Sequence, residues 1–190
     1  MSDLWDLESI SGWTTYPNCC SPTFTCDGEK MLGGYGNFGS GAYAYKTYTG
    51  LPPHYQVNIK MRLFQLDSWD GERFRIYVGT SYSTISFVWG RYHTASSGGQ
   101  GYLCGNSGYL DFRTDITTGY FSHTASTLCL YLDSTLNEDA TNENFGVKNI
   151  DIILDLCDVS CAACTGSAYT QCSACNPGWY LDGNTCRPCY

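Results

Sequence analysis

The chain has 190 residues, enough to bury a full hydrophobic core and to form one domain, or one domain with a small module attached. A formal net charge of −8, from 10 Lys and Arg against 18 Asp and Glu, argues against nucleic acid or an anionic membrane surface as partner. Only 15% of residues are charged, so solubility rests on Ser, Thr, Asn, Gly and the hydroxyls of 16 Tyr, and no run of about eighteen apolar residues is present to span a bilayer as a helix.

Residues 1–28 carry Trp5, Trp13, Tyr16 and Phe24 with Cys19, Cys20 and Cys26, and have no helical period. They read as an irregular, disulfide-pinned entry with a strand near Gly12–Tyr16. Adjacent cysteines bond each other only with strain, so Cys19 and Cys20 are expected to staple two different neighbours. The opening Met1-Ser2-Asp3-Leu4-Trp5-Asp6 lacks the basic start and apolar stretch of a signal peptide, which leads us to expect a mature or partial chain.

Gly33 to Gly41 formally contains G-x-G-x-x-G, from Gly34 to Gly39. A dinucleotide site needs a buried parallel strand before this motif and a helix opening on its third glycine. The sequence continues instead with Ala42-Tyr43-Ala44-Tyr45-Lys46-Thr47-Tyr48, an alternation of small and aromatic residues that suits a strand. The glycines therefore read as a connection between strands, and Leu51-Pro52-Pro53-His54 stiffens the approach to the next one.

The best-specified stretch is Gln56 to Gly79. Val57, Ile59, Met61 and Leu63 alternate with polar residues, and Phe74, Ile76 and Val78 alternate with Arg73, Arg75 and Tyr77. Both runs have the period of a strand with one buried and one wet face, and Asp67-Ser68-Trp69-Asp70-Gly71-Glu72 reads as an acidic turn between them. Ser83 to Tyr92 predicts another strand with Ile85, Phe87 and Trp89 on one side. Thr94 to Gly108 is a Ser/Gly-rich loop around Cys104. Leu128, Leu130 and Leu132 alternate with Cys129 and Tyr131, and Ser134 to Asn144 is polar and acidic, suited to a short helix. Val147 to Leu156 places Ile150, Ile152, Leu154 and Leu156 inward. About seven to nine strands without an amphipathic helix predict an all-β fold, an antiparallel β-sandwich of jelly-roll type over residues 1–157.

A reducing cytosol does not keep twelve cysteines oxidised, so the chain is either exported and disulfide-bonded or binds metal through them, and six of them fall in the last thirty residues. With only three His and little zinc-ribbon patterning, the set points to an exported, disulfide-bonded chain rather than to a metal site. From Cys157 the sequence is too short for an apolar core, so residues 158–190 are expected to form a small disulfide-rich module. Read as a ladder, Cys161–Cys172 and Cys164–Cys175 would lock one loop unit, and Cys186 and Cys189 would begin another whose partners are missing. Six tail cysteines allow about fifteen connectivities, so the pairing stays open.

The phrase Cys172-Ser173-Ala174-Cys175-Asn176-Pro177-Gly178-Trp179-Tyr180-Leu181-Asp182-Gly183-Asn184-Thr185-Cys186 resembles furin-like, growth-factor-receptor-type cysteine-rich repeats. The front part resembles a sandwich of secreted surface proteins of microbial eukaryotes. It shares Leu51-Pro52-Pro53-His54, the Asp67 to Glu72 turn, Cys104-Gly105, a late His such as His123, and Glu143-Asn144-Phe145-Gly146-Val147. The resemblance implies an extracellular or cell-surface, modular protein of structural or adhesive type and no defined activity. Such repeats come in arrays, so the single unit implies either a truncated chain or tail cysteines completed by another subunit.

Asp67, Asp70 and Glu72, joined by Glu143 or Asp139, offer the hard oxygen donors that calcium takes. The plain alternative is a turn in which one carboxylate caps backbone amides and another pairs with Arg73 or Arg75. His54, His93 and His123 share no ligand or catalytic spacing, no nucleophile elbow occurs, and the carboxylates are not arranged as a glycosidase pair, so no enzyme is expected. Tyr43, Tyr45, Tyr48, Tyr77 and Tyr131 are candidates to stack on sugar rings or to form subunit contacts, against plain cross-strand packing. The leading expectation is a structural protein that self-associates into a fibre or surface layer, with the sandwich as contact domain and the tail as link. The alternative is a carbohydrate- or ligand-binding adhesion module.

Overall fold

A computed structural model describes residues 2–3, 11–17, 22–94 and 99–189. Cys19 and Cys20 lie outside the described residues. In chain order the strands are β1 (Ser2–Asp3), β2 (Trp13–Tyr16), β3 (Thr23–Cys26), β4 (Glu29–Gly33), β5 (Tyr43–Thr49), β6 (His54–Asp67), β7 (Asp70–Gly79), β8 (Ser86–Thr94), β9 (Phe112–Thr117), β10 (Phe121–Ser122), β11 (Thr127–Ser134) and β12 (Glu143–Leu156). The tail adds β13 (Cys161–Cys164), β14 (Cys172–Cys175), β15 (Trp179–Asp182) and β16 (Thr185–Pro188). One 3-10 turn, Tyr82–Thr84, lies between β7 and β8.

Two antiparallel sheets form the sandwich. The first runs β10-β6-β12-β4-β3, with β9 beside β10 on β6 and β1 beside β4 on β12. The second runs β2-β5-β11-β7-β8. The predicted alternation fills the space between them: Val57, Ile59, Met61 and Leu63 on β6 face Phe74, Ile76 and Val78 on β7 and Leu128, Leu130 and Leu132 on β11, all buried in one core. Full burial of each such side chain contributes about 1.5–3 kcal/mol, so this alternation is what holds the sheets together.

The acidic turn is tighter than its sequence suggests. Ser68 and Trp69 alone separate β6 from β7, and the chain there crosses from one sheet to the other. Asp67 takes a left-handed φ of 69°, and the Trp69 indole, 1% exposed, enters the core with its N–H donating to the Asn144 carbonyl at 2.9 Å. Gly33 to Gly41 connects β4 to β5, as its composition predicts. A Cβ on Gly33 would stand 2.3 Å from the Phe38 ring, so the glycine there admits the ring into the core.

Three expectations are corrected. No helix forms over Ser134 to Asn144; beyond the end of β11 this is a turn pinned by buried Leu136 and by Thr141 N–H donating to Asp139 Oδ1. On β8 a bulge opposite Ile76/Tyr77 inserts one residue, which turns Phe87 outward while Trp89 packs against the core. On β12 a register shift between Asp155 and Leu156 ends the inward phase, and Leu156 is half exposed although Ile150 and Ile152 are buried.

The disulfides also differ from the ladder. Cys161–Cys172 forms, but Cys164 pairs with Cys157, and Cys175 pairs with Cys186. β13 and β14 put Cys161 opposite Cys175 and Cys164 opposite Cys172, and neither register pair is bonded: Cys161 links diagonally to Cys172, while Cys164 and Cys175 bond outside the hairpin. Cys186 is therefore closed inside the chain, and Cys189 is free and exposed. The tail sulfurs make their own small cluster with Tyr55 of β6 packed against it. Cys26–Cys104 ties the end of β3 to the loop before β9. Cys129, grouped with the disulfide cysteines by count alone, is a free buried thiol whose pKa is pushed up by burial, against a hydrogen bond with Thr47.

Candidate functional site

Strand alternation decides which tyrosines can reach a ligand. On β5, Tyr43 and Tyr45 share one parity and Tyr48 the other; the structure buries Tyr48 at 5% exposed in the core, which removes it from the candidate contacts. On β11, Tyr131 and Asp133 point to the outer face while Leu130 and Leu132 point in, and on β7 Arg73, Arg75 and Tyr77 point outward. Register then lines these residues up. One row across the sheet runs Thr14, Tyr45, Tyr131, Tyr77 and Phe87, and the next runs Tyr16, Tyr43, Asp133, Arg75 and Gly90.

The result is a continuous aromatic surface on the outer face of the second sheet. Tyr43 stacks on Tyr16 and on Tyr131, each with ring centroids 5.4 Å apart, and Tyr77 meets Tyr131 and Phe87 edge-on at 5.7 Å. Tyr82 comes to this surface from the 3-10 turn, at 5.0 Å from Tyr45 and 5.7 Å from Tyr131. The turn can lie on the sheet because Gly79 lies beneath it: a Cβ there would stand 2.6 Å from the Thr84 backbone. Thr84 Oγ1 holds the turn closed by accepting from the N–H groups of Thr80 and Ser81. Tyr16 is 55% exposed, and Tyr82 and Phe87 are each nearly half exposed.

Polar groups punctuate the rings. Arg75 donates two hydrogen bonds to Asp133, each 2.7 Å, and its guanidinium lies 5.6 Å from the Tyr77 ring. Burial pushes the Asp133 carboxyl up, against the two guanidinium bonds that favour its charged form. Arg73 lies over the rings of Phe87 at 4.4 Å and Tyr92 at 5.0 Å, in space left by Gly90, and pairs with no carboxylate among the described residues. Burial first, then neighbouring groups, raises the pKa of Tyr43 and Tyr131, so both are neutral phenols, able to donate and to accept.

The predicted carboxylates divide. Asp70, Glu72 and Glu143 come together, each offering an oxygen within 4.8 Å of the others. Asp67 does not join them. Its Oδ1 accepts from Asn106 N–H at 2.6 Å and its Oδ2 from Asn144 Nδ2 at 2.8 Å, while its own N–H donates to Asp111 Oδ1. Asp67 thus anchors the Cys104 loop. Burial, with the Asp111 charge adding, pushes its carboxyl up to about 6 against these two bonds. Arg75, expected as a partner for the acidic turn, is taken by Asp133. His54 and His123 stack and share a 2.8 Å hydrogen bond, and His93 sits apart against Phe112.

Sequence reasoning missed Tyr16, Tyr82, Phe87 and Arg73 as members of the face. Parity with Tyr43 across β2 and β5 would have found Tyr16. Nothing in the sequence marks the fold-back that delivers Tyr82, and the β8 bulge that exposes Phe87 has no composition signal.

No family model matches the chain, and no curated protein matches it in sequence. Its structure is similar to the K2 cleaved adhesin domain of Lys-gingipain, at 11% identity over 81% of this chain and 97% of that one, with a TM-score of 0.51. It is also similar to the C-terminal CBM6 of LamC, a marine laminarinase from Zobellia galactanivorans (16% identity, 68% and 85% covered, TM-score 0.42), and to the xylan-binding module CBM15 (12%, 82% and 96%, TM-score 0.44). The adhesin likeness establishes the class: an antiparallel β-sandwich, here followed by a disulfide-rich tail.

Proposed function

We propose that this protein is a carbohydrate-binding adhesion module and that the outer face of the second sheet is its binding surface. One observation carries this reading: six tyrosines and a phenylalanine from β2, β5, β7, β8, β11 and the 3-10 turn meet on one side of the sandwich, partly exposed and outside the core. Aromatic rings offer flat apolar faces to the C–H faces of sugar rings, and the phenol hydroxyls, Arg73 and the Arg75–Asp133 pair stand among them to meet sugar hydroxyls. The similarity to an adhesin domain supports this reading. The formed disulfides support an extracellular or surface setting.

Self-association into fibres has less support. Cys186, expected with Cys189 to await a partner in a neighbouring subunit, is paired with Cys175, and of the two only Cys189 is free. A glycan array probed with the full chain tests the choice. We expect binding to one class of glycan, lost in Tyr82→Ala and retained in Tyr169→Ala, whose ring lies in the tail. An array without signal, together with dimers or longer species in sedimentation at high concentration, would assign the same face to a second copy of the chain.

A further inference from the structure

The acidic cluster at the β6–β7 corner is built unlike a solvated turn. Glu72 on β7 and Glu143 at the start of β12 are buried, at 6% and 1% exposed, and Asp70 stands beside them at the rim, exposed. Glu72 Oε2 is fixed by the N–H groups of Asp70 and Gly71, at 2.7 and 3.1 Å, which sets the orientation of that carboxylate. Glu138 adds a fourth acidic side chain nearby, held by Asn142 and Ser68. No Lys, Arg or His pairs with Asp70, Glu72 or Glu143 among the described residues.

A second observation is independent of the clustering. Glu143 Oε2 is buried without a hydrogen-bond partner. Buried carboxylate oxygens are stable when a donor, a proton or a cation meets them, and an unmet one is strongly unfavourable. A bound cation meets this oxygen and neutralises the carboxylates beside it.

We propose that Asp70, Glu72 and Glu143 form a divalent-cation site whose donor set selects calcium, and that the ion pins the β6–β7 corner to the start of β12. All three donors are hard oxygens. Calcium–oxygen distances of about 2.3–2.6 Å put two ligand oxygens at most about 5.2 Å apart, and the three oxygens lie within 4.8 Å of one another, a spacing compatible with one coordination sphere. Exposed Asp70 leaves one side open for the waters that complete six to eight ligands. The site does not depend on the glycan reading, since its residues lie outside the aromatic rows.

The test is thermal unfolding of the full chain stripped with EDTA, with calcium chloride or magnesium chloride added alone. Calcium at about ten times its dissociation constant is expected to raise Tm by roughly 3–5 °C, and magnesium at equal concentration by less. Asp70→Asn, at an exposed position, is expected to keep the fold and weaken calcium binding at least tenfold. Glu143→Gln is expected to raise the Tm of the chelated protein, by removing a buried charge, and to abolish the calcium response. No Tm rise with calcium up to 10 mM would overturn the site, as would an unchanged response in Asp70→Asn. An equal response to magnesium would overturn the assignment to calcium. Should Glu143→Gln not fold, Asp70→Asn still decides.

Discussion

Trp69 sits in a run of turn-forming residues, and its burial explains why two residues suffice to pass the chain between sheets. The indole fills the corner of the core and gives its N–H to Asn144, so packing and a hydrogen bond both fix the crossing. Trp69→Ala is expected to lower unfolding free energy by about 3–5 kcal/mol, read from urea denaturation; a loss under 1 kcal/mol would mean that the corner is held by its neighbours alone. Asp67, two residues earlier, has a folded pKa of about 6 against about 3.9 in an unfolded chain. The folded state then binds more protons between these values, so this residue makes stability rise as pH falls from about 7 to 4, by on the order of 1–2 kcal/mol. Asp67→Asn, which tolerates the positive φ, should flatten that rise when both proteins are measured in chelator; parallel pH profiles would contradict it.

At the scale of elements, alternation told most of what there was to read. β7, β11 and the Val57–Leu63 part of β6 present their apolar residues to the main core by a period of two, while Phe64 and Leu66, of opposite parity on β6, are buried in a second cluster with Cys26 and Met31; the same rule turns Tyr43, Tyr45, Tyr77 and Tyr131 outward. Grouping Tyr48 with them ignored that rule by counting aromatics rather than parity. The β8 bulge and the β12 register shift were illegible because a single inserted residue reverses the phase without changing composition. The acidic residues were legible as a group, but not that Asp67 would leave it, since that depends on Asn106 arriving from a distant loop and Asn144 from β12. Cysteine pairing was illegible for the same reason. Cys26–Cys104 spans 78 residues, and loop closure of that length restricts the unfolded chain strongly. Replacing both by Ala is expected to lower stability by about 2–5 kcal/mol in denaturant unfolding, and an unchanged midpoint would show that the β3 end is held by packing alone.

The whole molecule combines a sandwich whose inner faces make the core and whose second outer face is given over to rings, with a cross-linked tail packed through Tyr55 of β6. The core and the aromatic face use opposite parities of the same strands, so rings on the outer face can change with little disturbance of the core. That separation makes the binding account open to a direct check. The decisive measurement is isothermal titration of the best array glycan into the full chain, Tyr131→Ala and Tyr180→Ala, with calcium present throughout. Tyr131 touches Tyr43, Tyr77 and Tyr82 at the centre of the face, whereas Tyr180 lies in the tail. Loss of one central aromatic contact should weaken binding by about tenfold or more in Tyr131→Ala and leave Tyr180→Ala at the wild-type affinity. Equal affinity in all three would place the ligand elsewhere and contradict the account.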